Sequence, residues 1–280
     1  MKHILLNLKR FDIPHTYGGV NRLAQTKDWG RTIIEGIQDQ IAAYSNEASF
    51  HIFFPESQII PAKEALKENT NLHIGCQSVH RADVVNSENF GAFTSHRAAS
   101  AMKAIGCTST IIGHTEERRE LEYLMQKKDM NDVLNEKVKM AQLSGLKVVY
   151  CIGEKEEEKE NWQETLKHQL TVGLREVDMS QIIIAYEPVW AIGPGKEVPT
   201  KEQIEEIMSY IKTELGQHIA VVYGGGMKIE NAEMLASVNG LDGGLIALTR
   251  FTGEIGFYSD EYLNIVKTYL RSGENERNSI

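Results

Sequence analysis

Eight short β-rich runs recur along the chain, and no other feature of the sequence restricts its possible folds so sharply. They are HILLNLK from His3, SFHIFFP from Ser49, LHIGCQS from Leu72, STIIGH from Ser109, KVVYCIG from Lys147, QIIIAYE from Gln181, IAVVYGG from Ile219 and GLIALT from Gly244. Each ends in polar or glycine residues and most lead into a segment with helical periodicity, the alternation that builds a parallel sheet covered by helices. Runs such as IIIAY and VVYC are apolar at consecutive positions, as a strand buried on both faces requires. One connecting segment, Thr200 to Leu215, opens with a Thr200 and Gln203 capping-box pair and then sets Ile204, Ile207 and Ile211 at helical spacing, so it has one apolar face to dock. An open doubly wound sheet would be expected to carry a G-x-G-x-x-G turn after its first strand. None is present, and eight strands favour closure, so the expected fold is α/β, a (β/α)8 barrel.

A chain of 280 residues falls within the range of a single such barrel, and no proline- or glycine-rich linker divides it. One domain over residues 1–271 is expected, with a polar tail from Ser272 to Ile280. The acidic run EKEEEKEN from Glu154 to Asn161 reads as a solvated helix face. A formal net charge of −9 argues against general nucleic-acid or anionic-membrane binding, so an anionic substrate would need a local positive site. The N-terminal stretch MKHILLNLKRFD is too short in apolar residues for a signal segment or a membrane span. Cys76, Cys107 and Cys151 lack metal-type C-x-x-C spacing, which favours a reducing, cytoplasmic setting over a disulfide framework.

In a closed barrel the side chains at the C-terminal strand ends converge on one mouth, so the polar residues that close the runs are the candidates for chemistry. Asn7 and Lys9 follow the first run, His114 and Glu116 the fourth, Glu187 the sixth, and glycines crowd the seventh and eighth. Lys9 offers a fixed positive charge for a phosphate or an oxyanion. His114 can hydrogen-bond a carbonyl oxygen, and Glu187, behind IIIAY, is placed to take a proton. Each alone has an ordinary reading: an exposed lysine, a structural histidine, an ion-pair glutamate. Three together on separate strand ends point to acid–base catalysis. The segment Pro188, Val189, Trp190, Ala191, Ile192, Gly193, Pro194, Gly195, Lys196 has an apolar centre flanked by proline and glycines, the composition of a lid that excludes water from a reactive intermediate.

These residues resemble the triosephosphate isomerase family over nearly the whole chain. The resemblance is carried by NLK at Asn7 to Lys9, GAFTS at Gly91 to Ser95, IIGHTEER at Ile111 to Arg118, CIGE at Cys151 to Glu154, AYEPVWAIGPGK at Ala185 to Lys196, and YGGGMKIENAEML from Tyr223. It implies a homodimeric isomerase of glycolysis and gluconeogenesis acting on dihydroxyacetone phosphate and glyceraldehyde 3-phosphate, without metal or organic cofactor. Glu187 would shuttle the proton between C1 and C2. His114, as neutral imidazole, would stabilise the enediolate, and Asn7 and Lys9 would bind and polarise the substrate; this pairing of glutamate with neutral histidine is the general pattern for that enzyme. Glu116 would orient the site near Lys9, while Gly193, Gly225, Gly226, Leu248 and Arg250 would contact the substrate. Thr94 would sit near Asn7 and Lys9 of the partner subunit.

Several positions depart from the family pattern. The first loop, Arg10 to Gly30, is long; Gly226 replaces a serine after strand seven; and Ala247-Leu248 replace paired glycines, followed by Arg250 and the inserted TGEIGFYSD. Glu117 stands where an arginine is usual, His96 closes FTSH where the family has FTGE, and Pro194 replaces a threonine of the lid. The joint enlargement of loops one and eight suggests a reshaped pocket. Isomerisation of another small sugar phosphate, such as an erythrulose phosphate, is therefore an alternative, and a non-catalytic sugar-phosphate sensor a second.

Overall fold

The computed structural model describes residues 1–68, 71–86, 89–125, 129–192, 196 and 198–277. All eight expected runs form strands: β1 (Lys2–Asn7), β2 (Ala48–Phe54), β3 (Leu72–Gln77), β4 (Ser109–Ile112), β5 (Lys147–Ile152), β6 (Ile182–Tyr186), β7 (Ala220–Tyr223) and β8 (Gly243–Ile246). They pair in sequence order into a closed parallel barrel, with β8 returning to β1 through registers such as His3↔Gly243 and Leu5↔Leu245. The connecting helices are α1 (Trp29–Ile41), α2 (Glu56–Ala65), α3 (Ala99–Ala104), α4 (Thr115–Met125), α5 (Met130–Leu143), α6 (Trp162–Gly173), α7 (Lys201–Leu215), α8 (Ala232–Ala236) and α9 (Ser259–Arg277).

Strand alternation sorts the side chains into two cores. Leu5, Phe53, Ile111, Val149, Cys151, Ile183, Ala185, Val222 and Leu245 fill the barrel interior. The intervening residues, among them Phe50, Ile52, Phe54, Tyr150 and Ile184, pack with helix residues such as Ile33, Ile37 and Ile211 into the outer core. The helices dock as their periodicity dictates. In α7, Thr200 and Gln203 form the reciprocal capping box and Ile204, Ile207 and Ile211 are buried.

Three features differ from the sequence expectation. The last helix continues through Arg277, so the backbone from Ser272 to Arg277 belongs to α9. The acidic run is only partly solvated. Residues Glu156–Asn161 form an exposed 3-10 turn, but Glu154 is 2% exposed. Thirdly, the foot of the barrel is polar. His51 stacks on His73 with ring centroids 4.8 Å apart and lies 6.4 Å from His3, while its ring nitrogens meet Ser49 Oγ at 3.0 Å and Ser109 Oγ at 3.3 Å. Burial, reinforced by the neighbouring His73, His3 and Lys147, pushes His51 well below the ordinary imidazole range. Among the described residues, no helix is long and apolar enough to cross a membrane.

Candidate active site

The site is assembled by how the strands end. Asn7 closes β1 almost fully buried, and its Oδ1 accepts the N–H of Lys9 at 3.1 Å. Lys9 itself sits at φ 40°, in the left-handed region that a lysine seldom adopts. Gln77, the polar residue that ends β3, donates to the Lys9 carbonyl at 2.9 Å and to the Phe53 carbonyl at 3.1 Å, which holds that unusual backbone in place. The turn carries the Lys9 ammonium to Glu116, 2.5 Å away.

After β4, Gly113 turns the chain at φ 78° and presents His114 and then α4. This turn is clamped by two consecutive residues of that helix. Glu117 Oε2 accepts the Gly113 N–H at 2.7 Å, and Arg118 donates to the Gly113 carbonyl at 2.8 Å and the Cys151 carbonyl at 2.8 Å. Glu117 thus has a local role and pairs with Lys137 at 2.5 Å, which accounts for an acid at a position where the family pattern has a base.

Glu187 follows β6 and is 2% exposed. Its Oε2 accepts two hydrogen bonds from Thr115, from the backbone N–H and from Oγ1, both at 2.9 Å. Its Oε1 lies 3.0 Å from His114 Nε2 without the alignment of a hydrogen bond, so one carboxylate oxygen is anchored and the other has no donor. Glu116 contacts the opposite ring nitrogen, His114 Nδ1. Lys9, Glu116, His114, Glu187 and Thr115 therefore form one continuous chain of polar contacts across strand ends one, four and six. Burial by itself would lower the His114 pKa, but the flanking carboxylates of Glu187 and Glu116 outweigh it and raise it. For Glu116, burial works upward and is overcome by His114 and Lys9, which hold its carboxyl well below the usual range. A cavity of about 440 Å³ opens beside this chain, lined by Asn7, Lys9, Gln77, His114, Glu116 and Glu117 among others.

The first half of the segment expected as a lid is described and the rest only in part. Gly193, Pro194 and Gly195 lie outside the described residues, and Lys196 lines a second cavity together with Val189 and Trp190. Pro188 leads into a 3-10 turn, Val189–Ala191, followed by Ile192. The buried Glu154 pins this turn, because its Oε1 accepts from Trp190 Nε1 at 2.7 Å and from the Tyr186 hydroxyl at 2.8 Å, and Lys159 lies 3.7 Å above the Trp190 ring. Burial raises the Glu154 pKa despite those two donors.

The glycine-rich turn after β7 lies against the glutamate. A Cβ on Gly224 would come within 2.6 Å of Glu187 Cγ, so the bare backbone is what gives that side chain its room. Gly226 adopts φ +94°. Among the described residues, the N–H groups of Gly225, Gly226 and Leu248 donate to no protein acceptor. Arg250, expected as a charged substrate contact, is engaged elsewhere: it pairs with Glu261 of α9 at 2.6 Å and stacks over Tyr258 at 3.8 Å. Sequence reasoning had missed Thr115, Gln77 and Glu154 as parts of the site. Gln77 could have been found as the polar closer of its run, and Thr115 as the first donor of a helix that starts at a strand end.

A closed (β/α)8 barrel whose mouth holds a half-anchored buried carboxylate, an imidazole and an ammonium brings together the groups that an enzymatic proton transfer requires. Comparison with known proteins gives the family. The family model for triosephosphate isomerase matches residues 22–263. The chain is 30% identical over 234 residues to the triosephosphate isomerase of Mycoplasmopsis pulmonis, covering 80% of this chain and 88% of that one. It is 34% identical over 233 residues to that of Prosthecochloris aestuarii, covering 78% and 85%. A crystal structure of triosephosphate isomerase from Bartonella henselae superimposes with a TM-score of 0.69 at 25% identity, over 96% of this chain and 98% of that one. The chain belongs to the triosephosphate isomerase family.

Proposed function

We propose that this isomerase interconverts dihydroxyacetone phosphate and glyceraldehyde 3-phosphate, with Glu187 as the base. The observation that supports this reading best is the division of labour within Glu187: Thr115 holds Oε2 from two donors while Oε1 stays open to a proton. In the forward direction Glu187 takes a proton from C1, the C–H electron pair forms the C1–C2 double bond, and the carbonyl electrons move onto oxygen to give an enediolate. Lys9 and His114 stabilise that oxyanion, the O1 hydroxyl proton passes to O2 by way of the His114 ring, and Glu187 returns its proton to C2 as the C1 carbonyl forms. Asn7 fixes Lys9, and Glu116 fixes both Lys9 and His114. The free N–H groups of Gly225, Gly226 and Leu248 hold the phosphate, joined by Gly193 when the segment from Pro188 to Lys196 closes as a lid. The enzyme works in the cytoplasm in glycolysis and gluconeogenesis, in keeping with three free, buried cysteines. It works as a homodimer in which the Thr94 loop reaches Asn7 and Lys9 of the partner subunit; a monomer in sedimentation at micromolar protein would overturn that assembly.

The test is a coupled assay with dihydroxyacetone phosphate on wild type and Glu187→Asp. Withdrawing the carboxylate by about one methylene should lower kcat by roughly 10²-fold or more while ligand affinity changes little. Equal, small effects on both would favour a sensor. A second substrate is favoured by one observation: loops one and eight meet, with Arg22 3.9 Å from Glu254 and donating to the Ile255 carbonyl at 3.4 Å. This joint wall suits a longer sugar phosphate such as an erythrulose phosphate, so deuterium exchange into that substrate belongs beside the triose assay.

A further inference from the structure

The phosphate end of the site poses a charge problem. A phosphate monoester is dianionic, and the turns after β7 and β8 offer it backbone N–H groups from Gly225, Gly226 and Leu248. Of the nearby cations, Lys9 is paired with Glu116 and Arg250 with Glu261. Lys228 differs from both. Among the described residues it takes part in no ion pair, and its ammonium rests 4.2 Å over the ring of Phe251, a partly exposed residue of loop eight.

Its backbone is fixed tightly. Met227, fully buried, donates its N–H to the Leu245 carbonyl at 3.0 Å; the Lys228 N–H donates to Asn231 Oδ1 at 2.7 Å; and Asn231 Nδ2 donates back to the Gly226 carbonyl at 3.1 Å. From that anchored position the side chain folds back over the turn. Lys228 Cε lies 3.8 Å from where a Gly226 Cβ would be, the sole heavy atom of the described residues outside Gly225–Met227 within 4 Å of that point. Gly226 has therefore lost a side chain beside the phosphate position, and the lysine stem occupies the adjoining space. Phe251, in the enlarged loop eight, supports the ammonium from the other side without neutralising it. A cation over an exposed ring is weakly held and exchanges readily for a charge-assisted hydrogen bond to a phosphate oxygen.

We propose that Lys228 is the phosphate-binding cation of this enzyme, turning from the Phe251 ring to a phosphate oxygen of the substrate across the open face of Gly226. Its charge takes over part of the grip that a serine hydroxyl and a pair of glycines give in the family pattern. Phe251 holds the ammonium ready without a competing carboxylate. The proposal rests on the reading of the site as one for a sugar phosphate.

The experiment measures inorganic phosphate binding by calorimetry and dihydroxyacetone phosphate kinetics on wild type, Lys228→Met and Lys228→Arg. Lys228→Met should weaken phosphate binding about tenfold or more, the loss of one charge-assisted bond. The kinetic loss should fall mainly on KM, and Lys228→Arg should recover most of it. Folded Lys228→Met with unchanged phosphate affinity and unchanged KM overturns the proposal. Wild type that binds phosphate through Lys228 but does not turn over the triose phosphate would sink the proposed reaction and leave this inference standing.

Discussion

The methyl group added by Gly224→Ala tests the geometry of the base without touching its chemistry. The new Cβ would lie 2.6 Å from Glu187 Cγ and 2.9 Å from the Tyr186 carbonyl oxygen. The carbonyl is β6 backbone and cannot give way, whereas Glu187 can. Ordinary contact begins at 3.4 Å, so Glu187 must move by roughly 1 Å, and a displacement of that size costs on the order of 10²-fold in rate. The same movement pulls Oε2 away from the two Thr115 donors, each now at 2.9 Å. Overpacking also costs about 1–3 kcal/mol of stability, a loss that thermal unfolding would register. Gly226→Ala is the contrast: its Cβ would meet Lys228 Cε at 3.8 Å, an ordinary contact, but φ +94° imposes a backbone cost of about 1–2 kcal/mol without pressing on Glu187. The assay is kcat for dihydroxyacetone phosphate, measured well below each variant's melting temperature. A folded Gly224→Ala enzyme with kcat within about threefold of wild type would refute the claim that Glu187 must sit where this glycine lets it.

The histidines at the barrel foot predict acid sensitivity. Burial first holds His51 and His73 below their ordinary value of 6.5, joined by repulsion from His73 on His51 and from Lys147 on His73, so over that interval the unfolded chain binds more protons than the folded one. Their contribution is fully present above pH 6.5 and is lost as the pH falls toward the folded values. His51→Gln should shrink the drop in unfolding free energy between about pH 7.5 and about pH 5, measured by urea titration; an identical drop in both proteins would rule this out. Tyr186→Phe removes one of the two donors on the buried Glu154 carboxylate, whose Oε2 has none, and should cost about 1–3 kcal/mol of stability. It should also quench or shift Trp190 fluorescence less than it destabilises the protein, because the Trp190 bond to Glu154 remains; a stability unchanged within about 0.5 kcal/mol would contradict the pairing.

The barrel was legible because its signal is periodic. Eight apolar runs, and a capping box at Thr200 followed by three isoleucines, state local preference and burial together, and tertiary packing had nothing to overrule. The polar cluster at the barrel mouth was legible in its strand-end charges. Its supports were not, because what makes Thr115 or Gln77 important is a contact between residues far apart in sequence: Thr115 meets Glu187 72 positions later, and Gln77 meets Lys9 68 positions earlier. Glu154 was misread for the same reason. It begins a run of charged residues, and only the fold shows that its carboxylate turns inward to Trp190 and Tyr186 while its neighbours face water. The histidine foot hid in plain alternation: His3, His51 and His73 occupy inward positions of three neighbouring strands, where an apolar layer is the usual filling.

The departures from the family pattern concentrate on one side of the mouth. On the proton-transfer side, Asn7, Lys9, His114 and Glu187 are all present and are braced by contacts within β1, β3, β4 and β6. On the anion side, the serine and the paired glycines are gone, Arg250 is bound to α9, and loop eight folds back on itself through the Arg250↔Gly256 bridge to meet loop one. Arg22 and Glu254 join those two loops, and the Val20 carbonyl lies 3.2 Å from the position of a Gly256 Cβ, so neither loop could be shortened alone without opening the wall. On the proposed reading, chemistry and recognition are carried by separate parts of the barrel: the reaction by strand ends one, four and six, and the choice of sugar phosphate by loops one, seven and eight. Exchanging loop eight for a short glycine pair should then change KM and substrate preference far more than the rate of proton abstraction, whereas any change at Glu187 or Gly224 should do the reverse.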